Sequence, residues 1–179
     1  MKNILIVGKP HVGKSTLINR LIETLNLSVS GYMTKREKEI KNGKIEDAVY
    51  IYEMGKPMIK SENNLVARFT EKNWKEKIFI NKGAFDNFAP KINELNPPAG
   101  VILFDEIGFL ESQERQFCKA VLDKLDGDIP VIAAVQSRTG VQFLEAVKRH
   151  KKSELFCIDI ENRDEIFERI LEFLRSEVR

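Results

Sequence analysis

Apolar residues recur along this chain with two different periods, and the alternation of the two predicts its elements. Short unbroken apolar runs read as strands buried on both faces. They fall at Asn3–Val7, Gly100–Phe104 and Val131–Val135, and Leu155–Ile160 reads as a final strand. Between them, apolar positions return at the spacing of one helix face. Leu17, Ile18, Leu21, Ile22 and Leu25 predict a helix over Lys14–Leu25, which Asn26 stops. Phe85, Phe88, Ile92 and Leu95 predict another over Ala84–Leu95, closed by Pro97-Pro98. Phe117, Cys118, Val121, Leu122 and Leu125 give a helix over Ser112–Leu125, and a further one is expected over Val141–Lys151. The last helix runs to about Ser176 on Ile166, Phe167, Ile170, Phe173 and Leu174. Asn162 with Glu165 three residues on has the form of a capping box at its start.

One stretch follows a different rule. Asn42-Gly43 tolerates the positive φ of a type I′ turn and predicts a hairpin with strands over Gly31–Lys41 and Lys44–Glu53. A two-residue loop puts Ile40 opposite Ile45, Lys38 opposite Asp47 and Arg36 opposite Val49. These strands are polar for the middle of a sheet, so an edge position is expected. Gly55-Lys56-Pro57 ends the hairpin, and Val66–Phe69 and Lys77–Ile80 are candidates for two short strands.

Strands alternating with helices imply a mostly parallel sheet covered on both faces, a three-layer α/β domain. Right-handed crossovers gather the loops after the strands on one edge, where ligands bind. That edge should hold Gly8–Thr16, Asp105–Gly108 and Gln136–Arg138.

Bulk properties narrow the class. The chain has 179 residues, enough for one domain with a sizeable core, and 31% of them are charged. A net charge of +2 makes no case for nucleic acid or a membrane surface. The basic run Lys148-Arg149-His150-Lys151-Lys152 falls at a helix end, where cations complement the dipole. No leader pattern or spanning segment is visible. Cys118 and Cys157 lack metal-type spacing and sit among apolar residues. Reduced core thiols in a cytoplasmic protein are expected.

The chemistry begins where the first strand stops. Gly8-Lys9-Pro10-His11-Val12-Gly13-Lys14-Ser15-Thr16 contains G-x-x-x-x-G-K-S between a predicted strand and a predicted helix. Such a loop closes backbone N–H groups around phosphate oxygens, and the helix dipole favours the same anion. Lys14 adds a charge on the β- and γ-phosphates, and Ser15 a hydroxyl ligand for Mg²⁺. Val101–Phe104 followed by Asp105 is a Walker B pattern, with Asp105 as the metal's carboxylate. Glu106 beside it can orient and polarise an attacking water, which favours hydrolysis over transfer to an acceptor. A strand intervening between the two Walker strands, together with Glu106, points to a RecA-like arrangement. Arg138 at the same edge is a candidate stabiliser of a γ-phosphate, and Arg163 a candidate to approach the nucleotide. His11 occupies a variable loop position. Trp74 could stack on a base or simply pack locally.

Three other readings compete with this one. Asp105-Glu106-Ile107-Gly108 fits the D-x-x-G of guanine-nucleotide switches. Such switches carry N-K-x-D later, whereas Asn81-Lys82-Gly83-Ala84 comes earlier and lacks the Asp, and Asn162-Arg163-Asp164 lacks the Lys. A small-molecule or nucleoside kinase needs an acceptor pocket and often an arginine-rich lid, but Arg36, Arg68 and Arg138 are scattered. A binding module timed by nucleotide hydrolysis stays open.

Three segments together resemble the cancer-related nucleoside-triphosphatase family, small P-loop proteins with a RecA-like core. They are Gly8–Thr16, Gly31-Tyr32-Met33-Thr34 and Phe104-Asp105-Glu106-Ile107-Gly108-Phe109-Leu110-Glu111. The resemblance implies slow, Mg²⁺-requiring hydrolysis of nucleoside triphosphates with broad base tolerance. It carries phosphate binding to Gly8–Thr16 and metal or water roles to Asp105 and Glu106. His11 stands where that family usually has glycine, and Gln136-Ser137-Arg138 where it often shows a His-Arg-Arg-like run.

Overall fold

The computed structural model describes residues 2–70, 73–97 and 100–177, with the backbone alone for 73–78 and 177. Side-chain expectations at Trp74 and the position of Pro98 lie outside the described residues. The strands are β1 (Asn3–Gly8), β2 (Val29–Lys41), β3 (Lys44–Glu53), β4 (Leu65–Thr70), β5 (Asn73–Ile80), β6 (Val101–Ile107), β7 (Val131–Gln136) and β8 (Ser153–Cys157). The helices are α1 (Lys14–Leu25), α2 (Ala84–Glu94), α3 (Arg115–Asp126), α4 (Gln142–Lys148) and α5 (Arg163–Glu177). They build one eight-stranded sheet in the order β5-β4-β3-β2-β6-β7-β1-β8. β2, β6, β7, β1 and β8 run parallel, while β3, β4 and β5 are added antiparallel. The architecture is α/β with a P-loop, and β7 lies between β1 and β6 as a RecA-like order requires.

Each face of the sheet has its own core, because successive residues of a buried strand point to opposite sides. Ile4, Ile6 and Leu103 pack with Leu17, Ile18, Ile166 and Ile170, so α1 and α5 cover one face. Leu5, Ile102 and Phe104 pack with Phe85, Phe117 and Leu144 on the other, under α2, α3 and α4. Three layers result.

The hairpin has the expected register. Ile40 pairs with Ile45, Lys38 with Asp47 and Arg36 with Val49, and both Asn42 and Gly43 have positive φ. Its place in the sheet differs from expectation. The hairpin is internal: β2 pairs with β6, and β4 and β5 extend the sheet beyond β3, so β5 forms that edge. The reason lies in where the polar residues fall. β2 pairs with β6 only from Val29 to Met33, which faces Asp105. From Thr34 onward β2 outruns the parallel strands and pairs with β3 alone, so the polar half of the hairpin never enters the parallel core. Its charges are matched instead, Arg36 on Asp47 at 2.6 Å and Arg68 of β4 on Glu39 at 2.7 Å. The entering half needs Gly31, whose φ is 154° and where a Cβ would lie 1.9 Å from the Leu103 carbonyl oxygen. That close approach lets the fully buried Tyr32 stack on Phe104 at 5.0 Å.

Smaller differences follow from local competition. The helix expected from Ser112 begins at Arg115, after a short 3-10 turn over Leu110–Gln113. The Asn162 side chain accepts from the Asp159 amide and donates to the Cys157 carbonyl, so it ties down the loop before α5 rather than closing a capping box. Both cysteines are free thiols, but only Cys118 is half-buried; Cys157 is exposed, because β8 is an edge strand that turns Phe156 inward and Cys157 out. Among the described residues no helix is long and apolar enough to cross a membrane.

Candidate active site

The predicted edge forms. β1, β7 and β6 end side by side, and the Ser137 amide donates to the Gly8 carbonyl at 3.2 Å. Lys9, Pro10, His11 and Val12 then turn the chain into α1, with Gly13 at φ 98° before the first helical residue. Among the described residues no side chain caps the first turn of α1, and no acidic residue sits in it. Its N–H groups and dipole are therefore arranged for an external anion.

His11 has φ 64°, which accounts for its position in the loop. The chain needs a left-handed residue there, a conformation open to glycine and more tolerable for histidine than for most side chains. His11→Val is expected to lower stability by about 1–2 kcal/mol through this strain, while His11→Gly is tolerated. Thermal unfolding of the two variants beside the parent checks this.

Lys14 is buried, and its ammonium donates to the Gly8 carbonyl at 3.1 Å and the Lys9 carbonyl at 2.9 Å. It also lies 3.0 Å from Oε1 of Glu106. That oxygen is buried and accepts no hydrogen bond among the described residues, so the contact is an ion pair without a directed bond. The Ser15 hydroxyl donates to Oδ1 of Asp105 at 2.9 Å. Burial pushes the Asp105 carboxyl above its ordinary range, and the Ser15 hydrogen bond opposes this. A carboxylate oxygen beside a hydroxyl oxygen suits a hard divalent cation. Among the described residues no group of three or more His, Cys, Asp or Glu could hold a metal.

Arg163 opens α5 and lies against the loop; a Cβ on Gly13 would come within 3.0 Å of its Cδ. Its Nε donates to the Ile160 carbonyl at 3.3 Å. Arg163, Gly13, Thr16, Arg20, Ile160 and Glu161 are among the residues lining a recess of about 300 Å³ beside the phosphate loop. The sequence had offered no such recess, because its walls come from opposite ends of the chain. A cavity of about 600 Å³ between α2, β3 and the β3–β4 connection includes no phosphate-loop residue. Arg138 reaches the edge, but its guanidinium lies 4.0 Å over the Phe109 ring.

Two residues with no assigned role also meet here. Glu111 is buried within the 3-10 turn and accepts from the Gly108 amide. Gln136, at the end of β7, accepts from the Phe109 amide at 3.2 Å. The available signal for Glu111 was its place five residues after Glu106 in Asp105-Glu106-Ile107-Gly108-Phe109-Leu110-Glu111.

The comparisons agree with this geometry. A nucleoside-triphosphatase THEP1 of Methanocaldococcus jannaschii is 30% identical over 175 residues, covering 94% of this chain and 94% of that protein. A protein of the same name from Methanothermobacter thermautotrophicus is 29% identical over 181 residues, covering 96% of this chain and 95% of that protein. Among solved structures, a human cancer-related nucleoside triphosphatase superposes with a TM-score of 0.62 at 19% identity, covering 98% of both chains. The crystal structure of THEP1 from Aquifex aeolicus does so at 0.59 and 22%, covering 96% of this chain and 98% of that one. These two likenesses establish the shared fold. The family model described as NTPase matches residues 3–171, and with the phosphate loop and its facing carboxylates inside that span, the chain belongs to the NTPase family.

Proposed function

We propose that this nucleoside-triphosphatase hydrolyses nucleoside triphosphates of several bases to the diphosphate and phosphate, with Mg²⁺, on a single domain in a cytoplasmic setting. One observation carries the reading: Asp105 lies 2.9 Å from Ser15 while its neighbour Glu106 lies 3.0 Å from Lys14. Metal carboxylate, water-orienting carboxylate and phosphate loop thus converge on one point.

Each residue has its task. Backbone amides from Gly8 to Thr16 cradle the phosphates, and Lys14 leaves Glu106 to pair with the β- and γ-oxygens. Ser15 and Asp105 would hold Mg²⁺, which when bound supplies charge stabilisation on the phosphates. Glu106, released from Lys14, orients a water for attack. The recess lined by Arg20, Ile160, Glu161 and Arg163 offers the base and ribose a place beside the loop. Its walls mix the cations Arg20 and Arg163, the anions Glu161 and Asp164, the Thr16 hydroxyl and the apolar Leu17 and Ile160, and Arg20 already pairs with Asp164 at 2.6 Å. Exposed, mutually paired side chains of both charges set no fixed donor–acceptor pattern, in keeping with loose base selection. Arg138 would have to leave Phe109 to meet a γ-phosphate.

Phosphate release from ATP, GTP, CTP and UTP, without added acceptor, tests this. All four should turn over within about tenfold of one another, since a site without a hydrogen-bond code discriminates weakly. Chelation of Mg²⁺ should abolish the release. Phosphate transfer only on addition of an acceptor would overturn the hydrolase reading in favour of a kinase.

A further inference from the structure

The turn that follows Glu106 is held more firmly than a surface turn requires. Ile107 is fully buried and pairs with Val135 of β7. The next amide, of Gly108, donates to the carboxylate of Glu111, which is only 3% exposed. The amide after that, of Phe109, donates to Oε1 of Gln136. The Phe109 carbonyl takes the Ser112 hydroxyl at 2.7 Å, and its ring carries the Arg138 guanidinium. Gln136 is itself fixed to the phosphate-loop strand, since it pairs with Gly8 and the following amide donates to the Gly8 carbonyl. Cys118 of α3 donates to the Glu111 carbonyl at 3.4 Å and ties the 3-10 turn to the helix behind it.

Glu106 therefore sits between two anchors. On one side Asp105 is bonded to Ser15. On the other, two consecutive amides are fixed by side-chain oxygens from separate elements. A carboxylate that must aim a water gains from such restraint, because an error of about 1 Å at the reacting group costs on the order of a hundredfold in rate.

We propose that Glu111 and Gln136 are positioning residues, whose hydrogen bonds to the Gly108 and Phe109 amides set the direction of the Glu106 carboxylate during hydrolysis. The inference rests on the hydrolase reading above. Their hydrogen bonds go to the Gly108 and Phe109 amides beside Glu106, so both act through Glu106 and not through nucleotide affinity. Burial pushes the Glu111 carboxyl up to about 7, the Gly108 amide pulling the other way. A neutral glutamine is therefore a close replacement that keeps the accepting oxygen.

The test compares the parent with Glu111→Ala, Glu111→Gln and Gln136→Ala. Phosphate release gives kcat and KM, equilibrium binding of a non-hydrolysable triphosphate gives Kd, and thermal unfolding sets an assay temperature below every transition. Glu111→Ala and Gln136→Ala should lower kcat by about tenfold with KM and Kd within about twofold, as expected when aim is lost and binding is kept. Glu111→Gln should recover most of the parent kcat. Parent-like kcat in both alanine variants would overturn the proposal. So would equal losses of kcat and affinity, or a Gln variant as slow as the Ala one. Should Glu111→Ala not fold, the half-buried Gln136→Ala decides by the same criteria. A parent that releases no phosphate overturns the hydrolase reading itself and this inference with it, an outcome distinct from active parent and unchanged variants.

Discussion

Glu106→Gln is expected to bind nucleoside triphosphate at least as tightly as the parent and to turn it over about a hundredfold or more slowly. The loss follows from the role proposed for the carboxylate. An amide can still hold a water, but it cannot draw on its proton, and a positioned general base contributes about 10²–10⁴ in rate. The retained affinity follows from the geometry. Lys14 lies 3.0 Å from Oε1 of Glu106, so the carboxylate would compete with a bound phosphate for the ammonium. Removing its charge removes the competitor. Equilibrium binding with a fluorescent triphosphate, beside phosphate release on the same preparation, reads both halves. Near-parent turnover would make Glu106 a structural residue, and weakened binding would show that its charge is needed to shape the loop.

Lys14→Ala should do the opposite, raising Kd for triphosphate by about a hundredfold. Charged hydrogen bonds to phosphate are worth about 1.5–3 kcal/mol each, and Lys14 can make more than one. A second effect is expected on the protein alone. Lys14 is buried beside Asp105 and Glu106, and without it two neighbouring carboxylates lose their nearby cation. Stability should fall, and the double variant Lys14→Ala/Glu106→Gln should recover part of that loss without recovering affinity. Thermal unfolding and nucleotide titration of the three variants separate the two effects. An unchanged Kd in Lys14→Ala would end the phosphate-loop assignment.

The strands and helices were legible because burial on two faces and burial on one face leave different periods. β1, β6 and β7 appear as unbroken apolar runs, and α1 and α2 as one-sided faces. The hairpin register was legible because Asn42-Gly43 admits few alternatives. The hairpin's position was not. Its polarity suggested an edge, yet only the part beyond Met33 is polar, and whether that part overlaps the parallel strands depends on strand length and register across the sheet. Asn162 shows a similar limit: its side chain had a helix amide and a loop amide within reach, and the local turn won.

The sequence by itself determined which candidate groups stand at each separate point. Gly8–Thr16 is a phosphate loop by its own spacing, and Asp105-Glu106 is a pair of carboxylates at the end of a buried strand. What only tertiary structure decided is which of these groups meet. The sheet order sets β7 between β1 and β6 and brings Ser15 to Asp105 across ninety positions of chain, and it seats Arg163 against Gly13 from the far end. It also shows that His11 answers to a backbone angle and that Gln136 and Glu111 grip the turn beside Glu106. The physical reason is range. Periodicity, turn chemistry and loop motifs act over a few residues, whereas hydrogen-bond partners and close approaches at a sheet edge are fixed by how distant strands align.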